Sequence, residues 1–217
     1  MISQEYVKAR SVLLDALDGL GPHRDALVLV GAQAVYLHAN QADFATAPTT
    51  TDADLALVPG RLADEPSIID AMSAAGFAPG RQPGSWIGPG DITVDLMAPE
   101  ALCGQKGRRS ARLQPPHEGK ATARRTFGLE PAALVVSKVV KIAERRDQQS
   151  HRLKPKDGLD VLRLLRAVDT ASLAGRLVSI ASHQLSSTAA ASATNGLREL
   201  AGQRPGRDQD VDGVAGQ

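Results

Sequence analysis

The chain has a single cysteine, Cys103, in 217 residues, which rules out an internal disulfide framework and a cysteine-built zinc site. A lone thiol of this kind reads as a small apolar filler in a reducing compartment. Aromatic residues make up only 3% of the chain, so platforms for stacking single-stranded bases are scarce and any nucleic acid is expected to be held through its phosphates. No uncharged apolar run is long enough to cross a bilayer, so no membrane partner is expected. The start, Met1-Ile2-Ser3-Gln4-Glu5, lacks the basic-then-apolar pattern of a signal peptide. Together these absences point to a cytoplasmic protein. His38, His117 and His151 have no metal-ligand spacing, and Tyr36 and Trp86 read as packing residues.

What is present is charge in patches. The net charge is +1, which by itself indicates no polyanion. Yet Lys106, Arg108, Arg109, Arg112, Lys120, Arg124 and Arg125 face only Glu118 in one segment. A second basic cluster, from Lys141 through Arg145, Arg146 and Arg152 to Lys154 and Lys156, follows it. Each cluster reads either as a solvated surface or as a polyanion-facing side.

Hydrophobic periodicity predicts helices over 4–20, 31–38, 65–75, from Pro131 into the 140s, and over 157–168, 170–182 and 184–202. Strands are expected at 27–30, 51–58, 85–87 and 91–97, with Pro99 ending the last, and another near 121–127. Residues 40–48 read as a loop. Strands dominate the first half and helices the second, so the fold class is α+β. The expected organisation is a mixed sheet with flanking helices over 1–115, a helical C-terminal bundle over 116–202, and a disordered tail over 203–217 that has little to bury.

Chemistry concentrates at Thr51-Asp52-Ala53-Asp54-Leu55. In a strand, side chains alternate between faces, so Asp52 and Asp54 share one face and Ala53 and Leu55 the other. Two carboxylates a few ångströms apart repel each other unless a cation lies between them, and hard oxygen ligands beside open space suit Mg²⁺. Asp95, in the run Ile92 to Met97, joins them if that strand is their neighbour. Upstream, the strand Leu27–Val30 runs through Gly31 into a helix, and backbone N–H groups at such a helix start suit phosphate oxygens. Lys138, on a helix otherwise lined by valines, reads either as a snorkelling surface residue or as a charge aimed at phosphates. Asp157 is favourable to the dipole of its helix, and Asp160 can pair with Lys156 or Arg163.

Gly31-Ala32-Gln33 followed by Thr50-Thr51-Asp52-Ala53-Asp54 resembles the first motif of the DNA polymerase β-type nucleotidyltransferase superfamily. The T-x-D-x-D-L ending is most similar to the AbiEii group of toxin nucleotidyltransferases, which includes the MenT toxins. Ser137-Lys138 and the stretch Lys154-Pro155-Lys156-Asp157-Gly158-Leu159-Asp160 are similar to that group's helix lysine and its lysine–aspartate element. The resemblance spans roughly Leu27 to Leu165. It implies metal ligands at Asp52 and Asp54, with Asp95 as a third. It implies a phosphate-facing Lys138, and Asp157 or Asp160 completing the site. It also implies nucleotide contacts from Gly31, Ala32, Gln33 and Thr51. Ala32 stands where the motif has serine, so a hydroxyl contact to phosphate is missing. The implied activity is Mg²⁺-dependent transfer of a nucleoside monophosphate from an NTP to the 3′ end of tRNA, by a toxin with a cognate antitoxin. Transfer to a protein or to a small molecule such as an aminoglycoside, and an inactive binding module, are the alternatives.

Overall fold

The computed structural model describes residues 3–39, 50–99, 110–111, 118–121, 127–148 and 154–202. The expected loop at 40–48, most of the basic segment at 106–125 and the tail at 203–217 lie outside the described residues.

The chain opens with α1 (Gln4–Gly19), capped by Ser3, whose hydroxyl accepts the Tyr6 N–H at 3.2 Å. A 3₁₀ turn leads into β1 (Leu27–Val30), in which all four residues are buried. An unbroken apolar run of this kind marks a strand covered on both faces. Then come α2 (Gly31–His38), β2 (Asp52–Leu57), α3 (Ile68–Ala74), β3 (Ala78–Pro79), β4 (Ser85–Ile87) and β5 (Thr93–Pro99). Short strands β6 (Ser110–Ala111), β7 (Glu118–Ala121) and β8 (Phe127–Leu129) follow. The chain continues as α4 (Pro131–Gln148), α5 (Pro155–Ala167), α6 (Thr170–Ser182) and α7 (Ser187–Gly202).

The strands form one mixed sheet in the order β3-β4-β5-β2-β1-β8-β7, with β6 paired to the end of β5. β1 runs antiparallel to β2 and parallel to β8, and β2 runs parallel to β5. The expected α+β architecture is the observed one. Two details differ from expectation. Pro99 is the last residue of β5 and pairs with Ala111. The single strand expected near 121–127 is instead the antiparallel pair β7 and β8. The expected division at 115/116 precedes both of these strands, and β8 is held to β1 through Val28↔Phe127 and Leu29↔Gly128.

One apolar cluster joins the sheet to the helices. Leu29, Leu55, Leu134, Val139, Val161, Leu164, Leu173, Ile180 and Ala193 all belong to it. α4 is the central helix and packs against α2, α5, α6 and α7. The Ala/Ser-rich sequence of α7 reads as a weak helix, but Ala190, Ala193 and Gly196 bring it close to α4. A Cβ at Gly196 would lie 2.7 Å from Val139 Cγ1. His38 Nε2 meets the Leu129 carbonyl at 2.9 Å and ties the end of α2 to β8.

Candidate active site

β2 alternates as its sequence dictates: Ala53 and Leu55 are buried, while Asp52 and Asp54 are half-buried on the other face. β5 lies beside it in parallel register, with Asp54 opposite Asp95. In-register residues of neighbouring strands share a face, so the three carboxylates stand on one side of the sheet. Polar neighbours hold two of them. Thr50 Oγ1 donates to Asp52 Oδ1 at 2.6 Å, and Ser85 Oγ donates to Asp95 Oδ1 at 2.9 Å.

Asp54 also sits against the turn from β1 into α2. Gly31, the first residue of α2, has φ +67°, a conformation that favours glycine. A Cβ at this position would overlap the Asp54 carboxylate. The glycine is therefore required both by its backbone and by the close approach of β2. Burial pushes the Asp54 carboxyl up to about 6. The Asp52 charge pushes the same way, Lys141 opposes it, Asp95 adds to the rise and Lys138 pulls back.

The two lysines come from α4, next to a buried ion cluster with α5. Lys138 Nζ lies 2.8 Å from Asp160 Oδ2 and 3.5 Å from Asp157 Oδ1. Arg163 Nη1 reaches Asp160 Oδ1 at 3.1 Å, and its guanidinium stacks 5.2 Å from the centre of the Tyr36 ring. Arg145 pairs with Asp157 Oδ2, and Lys141 Nζ lies 3.6 Å from Asp157 Oδ1. Burial pushes Asp157 up, but the Lys141, Lys138 and Arg145 charges more than cancel this and leave it below the ordinary carboxylate range.

The structure thus brings Asp52, Asp54, Asp95 and Gly31 together. It puts Lys138, Asp157 and Asp160 in the adjoining cluster. Lys138 is 3% exposed and its ammonium lies between two aspartates, so it has neither of the environments its sequence context suggested. Asp157 and Asp160 are fully buried. Asp160 pairs with Arg163, as its spacing allowed, and also with Lys138. Gln33 turns inward: its Nε2 donates to the carbonyls of Ala9 and Asp52, each at 3.1 Å, so it holds the backbone of β2 instead of facing a ligand. Ala32 is buried too. Thr51 is exposed. With Asp52, Asp95, Ser85, Arg81, Gln82 and Ile87 it lines an open pocket of about 440 Å³, part polar and part apolar. Lys141 and Arg145 were expected only as members of the second basic cluster, and Ser85 only as the start of a strand, not as site residues. Their signal is spacing: Lys141 lies three residues from Lys138 and Arg145 four further on, all on one helical face.

Among the described residues, no three His, Cys, Asp or Glu side chains form a ready-made metal cage. The donor set that fits a hard cation is the Asp52–Asp54 pair, whose mutual repulsion raises Asp54 and would be relieved by a divalent ion. Asp95 shares their face but does not close a three-ligand site with them.

No family model and no curated protein matches the chain. Solved structures are similar to it, and two of them cover nearly the whole chain. The antigenic nucleotidyltransferase-like protein from Paracoccidioides brasiliensis superposes with a TM-score of 0.56 at 15% identity, over 94% of this chain and 91% of that one. The solution structure of the antibiotic-resistance factor ANT(2'')-Ia gives 0.51 at 11% identity, over 93% of this chain and 100% of that one. At such identities the shared property is the fold alone.

Proposed function

We propose that the chain is a Mg²⁺-dependent nucleotidyltransferase that moves a nucleoside monophosphate from an NTP to a hydroxyl acceptor, the 3′ end of tRNA. We further propose that it acts in the cytoplasm as the toxin of a toxin–antitoxin pair and blocks translation. The observation that carries this reading is the Asp52–Asp54 pair on one face of β2. Asp95 stands in register beside it and Gly31 against it, within a nucleotidyltransferase fold.

Asp52 and Asp54 hold the ion. An Mg²⁺ ion held by this pair would supply charge to offset the phosphates and would lower the pKa of the attacking hydroxyl. The N–H groups at the start of α2 take phosphate oxygens, and Thr51 lies at the mouth of the site. The acceptor hydroxyl attacks the α-phosphorus in line, a new P–O bond forms, and the bond to the bridging oxygen breaks to release pyrophosphate. The hydroxyl proton passes to the Asp95 carboxylate, which stands in register with Asp54. Lys138, Asp157 and Asp160 act as positioning residues that fix α4 against α5, and the cations of that cluster, which outnumber its carboxylates, supply positive field to the leaving group. The second basic cluster supports a polyanionic acceptor, although Arg145 and Arg146 already pair with acidic residues.

The similarity to an antibiotic-resistance factor favours one second reading, transfer to a small-molecule hydroxyl. Both readings are tested by incubating the protein with Mg²⁺, NTPs labelled at the α-phosphorus, and total tRNA, a protein extract or aminoglycosides. The expected result is label on tRNA, abolished by Asp52→Ala. Label on an aminoglycoside instead supports the second reading. Label on none of them, with Asp52→Ala behaving as the unaltered chain, leaves an inactive scaffold and overturns both.

A further inference from the structure

Four cations, Lys138, Lys141, Arg145 and Arg163, surround two buried carboxylates, Asp157 and Asp160. The cluster therefore carries excess positive charge. Three of the cations are fixed. Lys138 is 3% exposed with Asp160 at 2.8 Å, Arg163 is 5% exposed between Asp160 and Tyr36, and Arg145 is 15% exposed against Asp157. Lys141 is different. Its side chain is 44% exposed, and its contact with Asp157 Oδ1, at 3.6 Å, is beyond hydrogen-bond length. Asp157 Oδ1 is itself buried and accepts no hydrogen bond among the described residues. The Lys141 charge also lowers Asp54, ahead of that of Lys138.

Resting on the nucleotidyl-transfer reading, we propose that Lys141, and not the buried Lys138, is the cation that contacts the outer phosphates of the bound NTP. Its flexible stem carries the ammonium from a loose contact with Asp157 to a phosphate oxygen, where a charge-assisted hydrogen bond can close below 3 Å. Lys138 is already satisfied at that distance by Asp160 and would have to break a buried ion pair, leaving Asp160 to Arg163 alone, to do the same.

The test measures affinity of the full chain, in Mg²⁺, for each NTP and its monophosphate by calorimetry or competition. The unaltered chain is expected to prefer the triphosphate. Lys141→Met is expected to lose about tenfold or more in triphosphate affinity, with the monophosphate unchanged and Lys141→Arg retaining most of the preference. A thermal melt checks folding, and Lys141→Gln is read in its place if the methionine variant melts early. Equal binding of tri- and monophosphate by the unaltered chain overturns the assignment. So does a triphosphate preference that survives the loss of the lysine. If the unaltered chain binds no nucleotide at all, the nucleotidyl-transfer reading falls, and this assignment falls with it.

Discussion

Asp54 carries the sharpest conflict of any single residue in the site. Its carboxylate is pressed against the bare Cα of Gly31, its register partner is another aspartate, and a third lies two residues earlier on the same face. Burial and these like charges hold its carboxyl near 6, so at pH 7.5 it is ionised against the preference of its surroundings. Asparagine has nearly the same shape and no charge. Asp54→Asn is therefore expected to abolish nucleotidyl transfer and yet raise the melting temperature of the metal-free protein at pH 7.5. The rise is a few degrees, since each kcal/mol is worth about 2–4 °C in a chain of this size. Adding Mg²⁺ is expected to close the gap by stabilising only the unaltered chain. Scanning fluorimetry of the two proteins with and without Mg²⁺ reads this directly. A lower melting temperature for Asp54→Asn would show that the carboxylate is a net stabiliser and that the repulsion argument fails.

At the scale of elements, the sequence pattern carries what is local. The period of two in Asp52–Leu57 told which side chains share a face, and the apolar runs located β1, α1, α4 and α5 to within a few residues. Depth and partnership are not local. Valines around Lys138 show that its surroundings are apolar. Only the packing of α5 onto α4 brings Asp160, 22 residues away, to within hydrogen-bond distance. Gln33 follows the motif glycine, and its inward turn depends on the Ala9 carbonyl from α1. β7 and β8 are too short to show a period, and their place in the sheet is set by pairing, β8 with β1 and β7 with β8. The ion cluster between α4 and α5 makes its own prediction. Asp160→Ala leaves Lys138 and Arg163 buried around one fewer carboxylate. The expected loss is about 3–5 kcal/mol, the range for breaking a buried pair. Lys141→Met, at the half-exposed rim, should change stability little. Urea unfolding of the two variants separates them. Equal stability would mean that the buried cluster contributes nothing to holding α5 on α4.

For the whole molecule, buried acids shift in opposite directions, and pH dependence follows from their sum. Asp54 is raised by burial and by Asp52 and Asp95. Glu130 is raised by burial against the opposing pull of Arg176. A raised acid holds its proton in the folded chain where the unfolded chain has released it, so stability falls as pH rises through that window, from about 4 to about 6 for Asp54. Asp157 is lowered by the cations around it despite its burial. Its contribution is present above the ordinary carboxylate pKa and is lost as the medium becomes more acid than that. The metal-free protein is therefore expected to be most stable in acid, at about pH 4, between the two losses. A divalent ion held by Asp52 and Asp54 binds only the ionised form. It removes the penalty on the alkaline side and moves the optimum toward neutrality. Urea midpoints measured from pH 3 to 8, with and without Mg²⁺, test this. A metal-free profile that is flat from pH 5 to 8 and indifferent to Mg²⁺ would mean that the sheet carboxylates do not act on one another as their shared face requires. The same result would remove the electrostatic reason for a cation at this site, because relief of that repulsion is what favours metal and nucleotide over an open face of three aspartates.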